Sequence, residues 1–223
     1  MPAPEFLTFS GVSRGLSPEA AARFLARHPG RFEWGVLVNL DQAADSPAAK
    51  YVPIAELEAF GRTIAGPKSL HLVADGRPET LPPAVVDALH AFDRVQINLP
   101  LADSLRLAER IRQSGFGGAI ILPFQADQPP DDEAYQWLFD RSGGRGLTPS
   151  AWPRFETPRL CGFAGGLGPD TIGAAVAQIR TPRYWLDMET SLRVDGVFSL
   201  DRCETLLGMV FEGPATMPPG RRS

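Results

Sequence analysis

The chain alternates short apolar, β-branched runs with longer stretches whose apolar residues recur every three or four positions. Runs of the first kind read as buried parallel strands, stretches of the second as amphipathic helices. Strands are expected over residues 6–12, 32–39, 69–74, 94–99, 118–124, 135–139, 160–164 and 184–191. Ser17-Pro18-Glu19 caps a first helix with Ala21, Ala22, Phe24 and Leu25 on one face, and His28-Pro29-Gly30 stops it. Further helices are expected over 53–64, 82–92, 104–113, a short one starting in 148–152, one opening at Pro169-Asp170, and one over 199–211. Residues 125–133 carry two prolines and four acids, leaving room for a turn of helix at most. Residues 40–51 are polar and small, longer than a usual strand-to-helix connection, which suggests a functional loop.

Eight strands alternating with helices in 223 residues imply a single (β/α)8 TIM barrel over 1–212, with a weak or missing helix after strand five. An open doubly wound sheet is the competing arrangement, but no Gly-x-Gly-x-x-Gly follows the first strand. Residues 213–223, rich in Pro, Gly and Arg, are expected to be a disordered tail.

Candidate chemistry starts at Cys161 through Ile172. An apolar strand ends in Gly165-Gly166, and a helix opens at Pro169-Asp170. Glycines there allow close backbone approach, and unpaired N–H groups aimed at one point can hold an anion. The plain alternative is a strand-to-helix turn in which glycine only relieves crowding. The next unit, ending in Glu189-Thr190-Ser191, completes the pair of strand–loop–helix units that commonly carry the phosphate site of such barrels.

Composition narrows the partners. A net charge of −4 and the lack of a basic run give no electrostatic case for nucleic acid or an anionic membrane. No window approaches 18 apolar residues and the first residues lack a basic, apolar leader, so the expected location is the cytoplasm. Cys161 and Cys203 read as buried reduced thiols, and three scattered histidines give no metal-ligand spacing; neither metal nor cofactor is expected. A small-molecule substrate is the expected partner, with the chain a monomer or homodimer.

Several motifs, in order, resemble the phosphoribosylanthranilate isomerase family. They are Phe9-Ser10-Gly11-Val12, Lys50-Tyr51-Val52, Val95-Gln96-Ile97-Asn98, Phe139-Asp140 with Gly143-Gly144-Arg145-Gly146 and Trp152, Ala164-Gly165-Gly166-Leu167-Gly168-Pro169-Asp170, and Leu186-Asp187-Met188. The resemblance implies a tryptophan-biosynthesis isomerase that carries out a cofactor-free Amadori rearrangement of an aminosugar phosphate, aldose to ketose. It assigns the general acid to Asp140 and the position of the general base, a cysteine in the family, to Ser10. Ligand contacts are carried to Lys50, Asn98, Gly144, Arg145, Gly146, Gly165, Gly166, Leu167, Asp187, Glu189, Thr190 and Ser191.

Four departures have chemical consequences. A serine hydroxyl needs a partner to act as a base, and no histidine is expected beside Ser10. Lys50 stands for arginine and loses the bidentate fork, while Asn98 stands for histidine and loses titration near neutrality. Glu189-Thr190-Ser191 stands where the family has Ser-Ser-Gly, and a carboxylate in that cradle repels a phosphate dianion unless a cation such as Arg145 or Arg193 neutralises it. The alternative is therefore a diverged barrel enzyme, or a non-catalytic binding protein, for a small ligand lacking phosphate.

Overall fold

The computed structural model describes residues 2–13, 15–41 and 50–212. Eight parallel strands close into a ring in chain order: β1 (Leu7–Ser10), β2 (Phe32–Asn39), β3 (Lys68–Val73), β4 (Arg94–Ile97), β5 (Ala119–Phe124), β6 (Gln136–Phe139), β7 (Cys161–Ala164) and β8 (Tyr184–Met188). The last pairs with the first, Leu7 against Leu186 and Thr8 against Asp187. The fold is a (β/α)8 barrel. Among the described residues six α-helices surround it: α1 (Pro18–Arg27), α2 (Leu57–Thr63), α3 (Pro83–Ala88), α4 (Leu101–Gln113), α5 (Ile172–Gln178) and α6 (Leu200–Leu207). No helix follows β5, as the prolines and acids of 125–133 require.

The Ser17 hydroxyl accepts from Ala20 N at 3.2 Å, and α1 packs Phe24 against Phe9, Phe32 and Trp34 on the outer face of the sheet. Such alternation puts Leu7 and Phe9 outward and Thr8 and Ser10 inward. By register, Glu33, Gly35, Ser69, His71, Arg94, Gln96 and Asp187 share that inner face. The far side of the interior is apolar: Ile121, Leu138 and Trp185 form a cluster separate from the main core. Gly162 makes room for it, since a Cβ there would stand 2.5 Å from Trp185 Cε2 and 2.6 Å from Leu138 Cδ1.

Some expectations fail locally. The segment 148–152 forms no helix; Pro149 within it and Pro153 just after it lack backbone donors, and Pro153 disfavours helical backbone at Trp152. The segment is an irregular strap instead, pinned by Trp152 against Phe139 and Phe163 and by buried Phe155 stacked on Phe163 at 5.2 Å. Helix α5 begins at Ile172 rather than at Pro169-Asp170. The strand expected through Ser191 stops at Met188, and a 3-10 turn takes Thr190–Leu192. A small hairpin, β9 (Arg193–Val194) with β10 (Val197–Phe198), turns at Asp195-Gly196, both at positive φ. Most of the long loop (42–49) and the proposed tail (213–223) lie outside the described residues.

Gly162→Ala is expected to lower unfolding free energy by about 1–3 kcal/mol, because Trp185 and Leu138 have nowhere to retreat inside a closed ring. Urea denaturation measures it; an unchanged midpoint would contradict this packing.

Candidate functional site

In the ring's polar half, two layers of side chains meet. In the lower layer Glu33 and Arg94, 4% and 8% exposed, form a bidentate pair with both bonds at 2.6 Å, and Thr8 donates to Glu33 at 3.1 Å. The Arg94 guanidinium also lies 4.5 Å over the Trp185 ring and donates to Gln136 at 2.8 Å. Removing one member of such a pair leaves a buried charge alone, at a cost of about 3–5 kcal/mol.

Toward the carboxyl ends of the strands lies the second layer. Ser10, the last residue of β1, donates to Asp187 Oδ1 at 2.5 Å, and Gln96 Nε2 donates to Asp187 Oδ2 at 3.0 Å. Gln96 Nε2 also donates to Asn98 Oδ1 at 3.0 Å, while Gln96 Oε1 is buried without a hydrogen-bond partner. His71 Nδ1 stands 3.4 Å from Ser10 Oγ and 3.4 Å from Gln96 Nε2, and its Nε2 is 2.8 Å from Ser69 Oγ. Ser10, His71, Gln96 and Asp187 are all at least nine-tenths buried. Gly35 is what lets Ser10 in: a Cβ there would lie 2.9 Å from Ser10 Cα. Burial drives the His71 pKa down, against the raising pull of Asp187 and Glu33 and with a further lowering by Arg94, so the ring is neutral.

The expectation that no histidine reaches Ser10 is thus corrected. His71 sits on β3, paired with Leu37 on one side and Gln96 on the other, so the closed sheet brings it to β1 through the interior rather than through the chain. Its signal was present in the sequence. Ser69-x-His71 and Arg94-x-Gln96 are polar residues at every second position in strands that should be buried on both faces.

The remaining predicted residues gather around the mouth in two groups. Lys50, tied to the sheet by the Tyr51–Leu37 bridge, pairs with Glu189 at 3.0 Å, both about a third exposed. Burial lowers the Lys50 pKa, but the hydrogen bond and charge of Glu189 outweigh it, and the net shift is upward. The cation facing Glu189 is therefore Lys50, not Arg145 or Arg193. Arg145 Nε donates to Ser142 O and Arg193 donates to the carbonyls of Gly11 and Gly196.

In the second group Asp140, just after β6, accepts from Ser142 N, Ser142 Oγ and Gly144 N at 3.0, 2.7 and 2.5 Å. Its Oδ1 lies 3.8 Å from where a Cβ at Gly165 would stand. Gly165 and Gly166 have positive φ, and a Cβ on Gly166 would press on Thr148 N at 2.7 Å and Gly146 O at 2.9 Å. Thr171 Oγ1 donates to Gly166 O and Ser191 Oγ to Leu167 O, each at 2.7 Å. A Cβ on Gly146 would lie 3.9 Å from Thr190 Oγ1. The predicted Gly146, Gly166, Leu167, Thr190 and Ser191 thus converge, but the Ser191 hydroxyl donates to backbone. Among the described residues no hydrogen bond joins the Asp140 group to the Ser10 group.

Neither cysteine competes for the chemistry: both are free and buried, and burial raises the Cys161 thiol to about 11 and Cys203 well above its usual value. A groove of about 460 Å³ lined by Arg154, Phe155, Thr157 and Arg180 lies where the chain enters β7 and β8, at the other end of the strands from Asp187. Among the described residues no helix is long and apolar enough to cross a membrane.

No protein-family model matches the chain, and a search of curated proteins finds no match. Solved structures do resemble it. Phosphoribosylanthranilate isomerase from Thermotoga maritima aligns at a TM-score of 0.54 and 12% identity, over 91% of this chain and 97% of the other. A structure of monomers generated from that dimeric enzyme aligns at 0.54 and 12%, over 91% and 96%. N-(5′-phosphoribosyl)anthranilate isomerase from Pyrococcus furiosus aligns at 0.53 and 12%, over 91% and 96%. At this identity the likeness shows the barrel fold.

Because folded His71 stays neutral while an unfolded histidine takes a proton below about pH 6.5, acid favours the unfolded chain. Between pH 7 and 5 the wild type should lose stability more steeply than His71→Asn, by up to about 1.4 kcal/mol per pH unit. Urea midpoints across that range measure the slopes; equal slopes would mean that His71 takes up its proton in the fold as readily as in the unfolded chain.

Proposed function

We propose that the protein is an isomerase-type proton-transfer enzyme for a small aminosugar, with Asp187 acting as the base through the Ser10 hydroxyl. The 2.5 Å hydrogen bond from Ser10 Oγ to Asp187 Oδ1 in a buried site carries this reading. Serine alone is too weak an acid to be deprotonated at neutral pH, but it can pass a proton on. As the carbon-bound proton of the substrate moves to Ser10 Oγ, the proton of Ser10 moves to Asp187 Oδ1. Once the ring has opened to an iminium, this leaves Ser10 unchanged, Asp187 neutral and the substrate an enolamine; the proton then returns from Asp187 through Ser10 to the carbon bearing nitrogen while the enol hydroxyl proton passes to the carboxylate left by the ring-opening acid, which completes the aldose-to-ketose shift and restores both groups.

The partner acid, which protonates the ring oxygen so that the sugar opens, is assigned to Asp140, whose loop holds it facing Gly165. The convergence of Gly146, Gly166, Thr190 and Ser191 supports a seat for the far end of the substrate, and the named activity of the structural neighbours supports a phosphorylated one. A second reading, a ligand without phosphate, is favoured by one observation: the lysine nearest that seat is already paired with Glu189.

With phosphoribosylanthranilate generated in situ, wild-type turnover is expected to fall about 100-fold or more in Ser10→Ala and in Asp187→Asn, and to be retained or raised in Ser10→Cys. Absence of turnover in both wild type and Ser10→Cys would overturn the isomerase. Calorimetric titration with inorganic phosphate separates the two ligand classes: binding that Glu189→Gly tightens supports the phosphorylated substrate, and no binding by either form supports the other.

A further inference from the structure

The proton inventory of the buried cluster has one self-consistent solution, and it gives His71 a role. The Ser10 proton points to Asp187 Oδ1 at 2.5 Å, the shortest contact of the group and one made to a carboxylate. Both amide hydrogens of Gln96 are spent at 3.0 Å, on Asp187 Oδ2 and Asn98 Oδ1. No donor is therefore left for a lone pair on His71 Nδ1, which faces Ser10 Oγ and Gln96 Nε2 at 3.4 Å each. Ser69 Oγ, at 2.8 Å from Nε2, carries a hydroxyl proton that can be donated to it.

We propose that His71 is a positioning residue for the reading given above: as the neutral, Nδ1-protonated tautomer it donates to Ser10 Oγ and so aims the Ser10 hydroxyl at Asp187. The bonds then run one way, from Ser69 to His71 to Ser10 to Asp187, with every proton of the four directed. The Ser10 oxygen keeps a second lone pair, which is where the substrate proton arrives. The opposite tautomer would face an unprotonated Nδ1 toward Ser10 and free the hydroxyl to rotate away from the carboxylate.

The charged groups around His71 come from three elements. Asp187 and, beyond it, Glu189 lie on the β8 side, Glu33 on β2 and Arg94 on β4. The Glu33–Arg94 pair is internally neutralised, so the imidazole sees chiefly burial and the Asp187 carboxylate, and burial prevails.

With three histidines in the sequence, imidazole nitrogen NMR resolves the question on the wild-type protein. The expected spectrum has His71 protonated at Nδ1 and bare at Nε2 at pH 7, with no titration at the ordinary histidine pKa. Ser10→Ala should shift His71 toward the other tautomer. A wild-type Nε2–H form, or a His71 signal that Ser10→Ala leaves unmoved, would overturn the assignment. This readout needs no turnover, so failure of the isomerase assay and failure of the tautomer are separate results. Where turnover is measurable, His71→Asn, which keeps a donor near the Nδ1 position, should hold kcat within about tenfold, and His71→Gln should lose about 100-fold in kcat with KM unchanged. Equal loss in both variants would contradict the donor role.

Discussion

A carboxylate inside a closed sheet must be answered by donors, and the hydrogen bond from Ser10 to Asp187 is the answer on which this interior is built. Among the described residues no arginine or lysine bonds Asp187; neutral donors from β1 and β4 do so instead. That requirement propagates. Gly35 must lack a side chain to leave room for Ser10, Gln96 must present its nitrogen rather than its oxygen, and His71 must be neutral to fit among them. The same logic one layer down gives Glu33 its arginine and its threonine. On the other side of the ring, where no charge has to be satisfied, Trp185, Leu138 and Ile121 fill the space and Gly162 yields to them.

The mouth is organised by a different economy of donors. The hydroxyls of Thr171 and Ser191 donate to the carbonyls of Gly166 and Leu167, which holds the turn after β7 in its positive-φ shape. Asp140 does the same for the loop after β6. At the rim Lys50 and Glu189 hold each other across the gap between the loop after β2 and the end of β8. A ligand entering there meets a neutral ion pair at the rim and a buried carboxylate beneath it.

Much of this architecture was legible in the sequence, and the reason is local. Strand periodicity, the Ser17 cap and the proline-laden gap after strand five are each settled within about ten residues, and eight such units leave little choice but a ring. The failures are also local: Pro149 and Pro153 disfavour the short helix expected to start in 148–152, and Asp195-Gly196 turns a hairpin between the last expected strand and the last expected helix. The site was harder to read because closure is not local. Ser10 and Asp187 are 177 positions apart, and His71 is 61 positions from Ser10. Only the β1–β8 pairing and the shared inward face bring them together. Motif matching placed Ser10 and Asp187 at the site and took in Gln96 without giving it a role, but passed over His71 and Ser69, whose alternating polarity in a buried strand was the available clue.

A double-mutant cycle on unfolding free energy, with Ser10→Ala, Asp187→Asn and the pair combined, tests the central interaction most directly. Coupling of about 1.5–3 kcal/mol, as for a hydrogen bond to a buried carboxylate, is the predicted result. Single-site effects that simply add, within about 0.5 kcal/mol, would show that the two side chains do not hold each other and would contradict the account.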